Sequence, residues 1–252
     1  MVFTALMYHS LSDGRHPDTL YPKYSTRLAV FKGHLRAMLD AGFHLTTLRA
    51  LLAAHDAGGL LPQKTCVLTF DDGHRSSLDF ADAMEAAGVR GTFFLTSRYC
   101  TERAEFLCAA HIRELAGRGF DFGTHGETHR PLRFLPVNEM RRELSDSKAW
   151  LEDVLGARVA TMSLPAGMGG AAVERTAFDL GYRLIGNSRE AVNRALAVPG
   201  GVNRFAVLAH HTAEDIVKIA AASPAYVWKR RLRAAALWLP KRMLQPYKRT
   251  RG

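Results

Sequence analysis

Short apolar runs rich in β-branched and aromatic residues return along this chain at roughly helix-length intervals. That rhythm restricts the fold more than any other feature of the sequence. The runs fall at residues 3–7, 65–70, 91–96, 120–123, 159–164, 182–185 and 205–209. Amphipathic stretches separate most of them. Phe31, Leu35, Met38 and Leu39 recur at helical spacing before Gly42, and residues 47–57 form a second stretch closed by Gly58, Gly59 and Pro62. Further helices are expected over 78–87, 111–116, 138–155 and 171–180. Strands alternating with helices build a parallel sheet covered on its faces. Repeated this often in one chain, they predict an α/β fold, a distorted (β/α) barrel of about seven strands. Chemistry in such barrels gathers at the carboxyl ends of the strands. The barrel is expected over residues 1–225, its first 64 residues forming a strand and helix extension, with a separate tail over 226–252.

Two polar clusters follow predicted strands. Asp71-Asp72-Gly73 leaves the strand at 65–70. Adjacent carboxylates repel each other, and they are tolerated where one neutralises a cation; an acidic turn with a capping Asp is the plainer explanation. The second cluster is His125-Gly126-Glu127-Thr128-His129. Histidines four apart can share one side of a helical turn or converge from a tight loop onto a metal; a chance pair of surface histidines is the plainer one. Together the clusters supply two imidazoles and a carboxylate, the ligand set of an open catalytic site for zinc or a similar divalent ion. The second carboxylate then has a task, accepting a proton from an activated water.

These blocks carry a resemblance. Val67-Leu68-Thr69-Phe70-Asp71-Asp72-Gly73 is similar to the first motif of the polysaccharide deacetylases, carbohydrate esterase family four, which includes chitin oligosaccharide and peptidoglycan deacetylases. The stretch from Gly123 to Leu132 resembles the second motif, and Thr92-Phe93-Phe94 and Met7-Tyr8-His9 add support. The resemblance implies Asp71 as catalytic base and Asp72, His125 and His129 as ligands of one divalent ion, taken as zinc. The family's third motif often pairs an arginine, which orients the base, with a proline and a glycine. Here it reads Ser163-Leu164-Pro165-Ala166-Gly167, without the arginine. Pro165 and Ala166 are expected beside the substrate, the Ala166 amide helping to bind the oxyanion. Leu208-Ala209-His210 fits the last motif, making His210 the general acid. A branch of the family often lacks that histidine, and Asn203-Arg204-Phe205 resembles a segment of this branch, which leaves an ordinary surface histidine as the alternative. The expected reaction removes an N-acetyl group from an amino sugar in a glycan or a lipid-linked precursor. Deformylation, O-acetyl ester cleavage and a catalytically inactive glycan-binding or partner-binding role are the rival readings.

The formal net charge of +10 is misleading until it is located. Residues 228–252 hold nine Lys and Arg and no acidic residue; the rest of the chain carries 25 basic and 24 acidic side chains and is almost neutral. Trp228, Leu232, Leu237, Trp238 and Leu239 are interleaved with the tail's cations. The tail therefore suits either a helix packed on the barrel or an amphipathic segment on an anionic membrane surface. Nucleic acid is not an expected partner, since no binding motif accompanies the charge. The opening residues have no basic, apolar and cleavage-site pattern of an export signal. Cys66, Cys100 and Cys108 form no CxxC pair and read as free thiols. The expected location is the cytoplasm, with a peripheral position on the inner face of the membrane.

Overall fold

A computed structural model describes residues 2–18 and 20–223. The tail expected over 226–252 lies outside the described residues. Strand β1 (Thr4–Tyr8) is followed by two short strands, β2 (Ser10–Leu11) and β3 (Ser25–Thr26), paired with each other. Then come α1 (Leu28–Asp40), β4 (His44–Thr46), α2 (Leu48–Asp56), β5 (Thr65–Phe70), α3 (Ser77–Ala86) and β6 (Thr92–Leu95). The chain continues through α4 (Ser97–Glu102), α5 (Ala109–Gly117), β7 (Asp121–Thr124), α6 (Val137–Leu155), β8 (Thr161–Ser163), α7 (Ala171–Asp179) and β9 (Leu184–Asn187). It finishes with β10 (Gly200–Asn203), β11 (Phe205–Ala206) and α8 (Ala213–Ala220).

The main sheet runs β10-β9-β8-β7-β6-β5-β1-β11, with β4 also on β5, and every pairing in it is parallel. Its two ends, β10 and β11, are separated in the chain by Arg204 alone. One residue spans only a few ångströms, so the edges must lie side by side. The sheet is thus nearly closed as a barrel with helices around it, the expected architecture.

Every residue of β1 and β5 is buried, as both faces of a parallel sheet demand. The two faces alternate. Leu6, Tyr8, Leu68, Phe70 and Phe93 join the layer beneath the helices, while Ala5, Val67, Phe94, Leu184 and Val202 fill the barrel interior. Helix α2 adds Leu48, Leu51 and Leu52 to the interior group. Its first turn donates from Leu48 N to Thr92 Oγ1 and from Arg49 N to Asp121. Both acceptors begin strands, so α2 closes the amino-terminal floor and leaves the other end open.

The expected runs at 3–7 and 65–70 are strands within a residue, and the helices lie within one to two residues of their expected bounds at most ends. Strands β2, β3, β4 and β10 and helices α4 and α8 were not expected. The first three strands hold two or three residues, too few to show periodicity.

Gly123 of β7 is fixed by proximity. A Cβ there would lie 2.5 Å from Thr161 Oγ1 and 2.6 Å from both the Thr161 carbonyl oxygen and Phe94. Since β7 pairs with β8 directly beside this point, Gly123→Ala is expected to destabilise the fold by about 1–3 kcal/mol, measured by urea denaturation.

Candidate active site

The loop after β5 sends two consecutive carboxylates in different directions. Asp72 and Gly73 both take left-handed backbone angles, with φ of 74° and 81°. A Cβ at Gly73 would come within 2.8 Å of Leu95 Cδ2, so this sharp turn requires glycine. Asp71, ahead of the turn, reaches the barrel interior. Asp72 meets the histidines.

Asp71 is 3% exposed and its partner Arg204 is 0% exposed. The guanidinium grips the carboxylate with both arms, Nη1 to Oδ1 at 2.6 Å and Nη2 to Oδ2 at 2.9 Å. Arg204 also donates from Nη1 to Thr69 Oγ1 and from Nε to the Asn187 carbonyl oxygen. Burial pushes the Asp71 carboxyl up, but Arg204 and then His125 outweigh it and hold the group below its ordinary value. Ser163 Oγ adds a 3.3 Å contact to Asp71 Oδ1. Asp71 is therefore a fixed carboxylate.

One potential ligand atom from each of Asp72, His125 and His129 lies within 4.8 Å of the others. Asp72 Oδ1 is buried without a hydrogen-bond partner among the described residues, 3.5 Å from His125 Nε2 and 3.3 Å from His129 Nε2. His125 Nδ1 lies 3.1 Å from the Ser163 carbonyl oxygen, which can only accept. The proton therefore sits on Nδ1, and Nε2 turns its lone pair toward Asp72. Two acceptors facing each other in a buried site call for a cation between them. Burial lowers His125 to about 4, which keeps it as the neutral imidazole that binds metals. For His129 burial acts downward too, but Asp72 raises it overall. Burial alone would raise Asp72, yet His129, His9 and His125 hold it well below the usual carboxylate range. This donor set fits a divalent ion. The two histidines converge from a loop, not from one face of a helix.

These groups open into a cavity of about 720 Å³, a size suited to a small organic ligand. His9, Tyr21, Tyr24, Ala166, Gly167 and Arg189 line it together with Asp71, Asp72, His125 and His129. Ala166 takes a left-handed φ of 55°. Pro165 is buried and is not among the lining residues.

Residues 59–185, just over half of the chain, match the polysaccharide deacetylase family. The chain belongs to that family. Its structure resembles the deacetylase PplD of Streptococcus pyogenes, solved in complex with acetate, with a TM-score of 0.76. Identity there is 20%, covering 87% of this chain and 98% of the other. The de-N-acetylase from Aggregatibacter actinomycetemcomitans gives 0.74 at 17% identity, over 82% and 95% of the two chains. IcaB from Ammonifex degensii gives 0.73 at 22%, over 86% and 95%. Likeness at these identities speaks for the shared fold. Among curated proteins, none matches this chain.

Two residues of this family member, Arg204 and His210, stand differently from what its motifs lead one to expect. The arginine absent at position 163 has a counterpart: Arg204, between β10 and β11 at the seam of the barrel, grips the Asp71 carboxylate. The sequence held a signal for it, a lone cation in the largely apolar run from Val202 to Val207. His210 departs in the other direction. Past β11 the chain is tied by Val207 N to the Met7 carbonyl oxygen and by Ala209 N to that of Lys23. This course leaves His210 exposed, its ring beside that of His211 and not among the residues lining the cavity. The structure thus does not bring His210 to the site, and His9 is the additional histidine there. His9 follows β1, lies with its ring centroid 4.7 Å from that of Tyr24, and has a buried Nδ1 without a hydrogen-bond partner among the described residues.

Removing Arg204 would strand a buried carboxylate. Arg204→Met is expected to lower unfolding stability by about 3–5 kcal/mol, read by urea denaturation. Asp71→Asn added to it should recover part of that loss; additive losses would contradict the pairing.

Proposed function

We propose that this chain is a metal-dependent N-deacetylase acting on an N-acetylated amino sugar. The observation that carries the reading is the division of labour between neighbouring carboxylates, one gripped by Arg204 and one facing two imidazoles. A binding protein has no need of an ionised carboxylate held ready beside the ion site.

Asp72, His125 and His129 would hold the ion, most simply zinc, whose chemistry is to polarise the acetyl carbonyl and acidify a water. Asp71 would accept a proton from a water as the water's oxygen adds to the carbonyl carbon. The amide N–H of Ala166 is offered to the oxyanion, as its place in the cavity wall supports. His9 donates a proton to the departing nitrogen as the carbon–nitrogen bond breaks, so acetate and a free amino sugar leave. Deformylation or O-acetyl ester cleavage would use the same groups, and acyl-group preference is read by offering all three substrates.

The nine cations of residues 228–252 support a glycan or lipid-linked precursor met at an anionic membrane surface on its cytoplasmic side. Full-length protein is expected to co-sediment with anionic vesicles at low salt, and a chain ending at 225 to bind far less. Equal binding by both would remove the membrane part of the reading.

Wild-type protein should take up one divalent ion by elemental analysis and release acetate from an N-acetylated sugar. His125→Ala and His129→Ala should lose the ion. Asp71→Asn should keep it while turnover falls by about 10²-fold or more, as for loss of a general base. His9→Gln should also slow turnover with the ion retained, and His210→Gln should leave it unchanged. Full acetate release by Asp71→Asn would overturn the mechanism.

A further inference from the structure

Helix α6 buries Met140, Glu143, Leu144, Ser147, Leu151 and Val154. A carboxylate among these residues needs partners, because desolvating it alone is very costly. Glu143 is 4% exposed. Its Oε2 accepts from two consecutive backbone amides, Glu127 N at 2.8 Å and Thr128 N at 2.9 Å, and Oε1 accepts from Thr128 Oγ1. Those two residues lie midway along the loop between His125 and His129. A Cβ added to Gly126 would lie 3.2 Å from Oε2, so the loop rests directly on the carboxylate.

The loop has a shape that it would not hold unaided. His129 takes a φ of 63°, a left-handed angle disfavoured for a residue with a Cβ. Helix α4 ties the outer side of the loop through Ser97 N to the Gly126 carbonyl oxygen and Arg98 N to that of Glu127. Glu143 takes the opposite-facing N–H groups. With both peptide units gripped, the direction in which the His129 ring leaves the backbone is set.

We propose that Glu143 is a positioning residue that presets the two imidazoles for the metal ion. It does so by clamping the backbone between them. This rests on the metal reading given above. Groups that orient ligands from behind commonly account for 10–100-fold in metal affinity.

The test is zinc affinity of the full chain, measured by competition with a chromophoric chelator, beside urea denaturation of the metal-free protein. Glu143→Ala should bind zinc about 10–100-fold more weakly. Glu143→Gln keeps a carbonyl oxygen for both amides and should stay much closer to wild type. A merely structural Glu143 would lower the stability of the metal-free protein in the Ala variant and leave zinc affinity unmoved, and that result overturns the proposal. Should Glu143→Ala fail to fold, Thr128→Val removes only the hydroxyl arm. It should still weaken zinc, and unchanged affinity there also overturns the proposal. Wild-type protein that takes up no zinc sinks the metal reading and this inference together. Tight wild-type binding with an unaffected Ala variant sinks this inference alone.

Discussion

A guanidinium and a carboxylate, both removed from water, meet inside the barrel where its two edge strands come together. A buried pair of this kind does not by itself stabilise a fold, since desolvating both ions offsets much of their attraction. It persists only with good geometry and with its remaining hydrogen-bonding groups satisfied. Here Arg204 uses a two-armed grip on Asp71, a third contact to Thr69, a fourth to the Asn187 carbonyl oxygen, and lies 5.3 Å over the Phe94 ring. Those partners come from β5, β6, β9 and the loop after β5. The guanidinium therefore links the site to several strands while spanning the seam between β10 and β11. One side chain thus both bridges the seam of the barrel and fixes the Asp71 carboxylate.

From this pair the rest of the site follows by charge. With Asp71 committed to Arg204, the left-handed turn at Asp72 and Gly73 directs the second carboxylate toward His125 and His129. His125 is oriented through Nδ1 by the Ser163 carbonyl oxygen, and Ser163 Oγ reaches back to Asp71. Asp71, Asp72, His125 and Ser163 thus form one connected polar network at the carboxyl ends of β5, β7 and β8. Its members polarise one another in a low-dielectric interior, where every unmatched group is costly. Asp72 Oδ1, without a hydrogen-bond partner among the described residues, is the place where that network could hold a cation.

Much of the fold was legible because long elements carry their period openly. Strand β5 and helix α6 were found nearly to the residue, since six buried residues in a row and a nineteen-residue amphipathic stretch leave little choice. Strands β2, β3 and β4 were not legible, because elements so short are set by the neighbours they pair with. Asp71, Asp72, His125 and His129 stood out because they sit close together in sequence, at the ends of two apolar runs. Arg204 lies 133 residues from Asp71, and no local pattern encodes so distant a contact. Glu143 shows only as a carboxylate on the apolar side of its helix. His210 was misplaced because three letters match a motif wherever they occur, and only the tether of Val207 and Ala209 decides which way a histidine faces.

The relocation of the arginine separates a motif from the physics beneath it. What Asp71 requires is a partner for an ionised carboxylate in a buried place, and that demands a cation with two donors matched to two oxygens. Any strand whose carboxyl end borders the barrel interior can supply it. Ser163 leaves the third-motif position too short to do so, and Arg204 approaches from the strands beyond β9 to meet the same need. Gly186 is part of the accommodation: a Cβ there would lie 3.0 Å from Arg204 Nε and 3.1 Å from Cζ, which leaves no slack for a side chain beneath the guanidinium. The constraint acts on the chain as a set. A serine at 163, a glycine at 186 and an arginine at 204 form one solution to a single electrostatic demand: the serine leaves the space open, the glycine gives the guanidinium room, and the arginine supplies the partner without which the Asp71 carboxylate would bear the cost of burial alone.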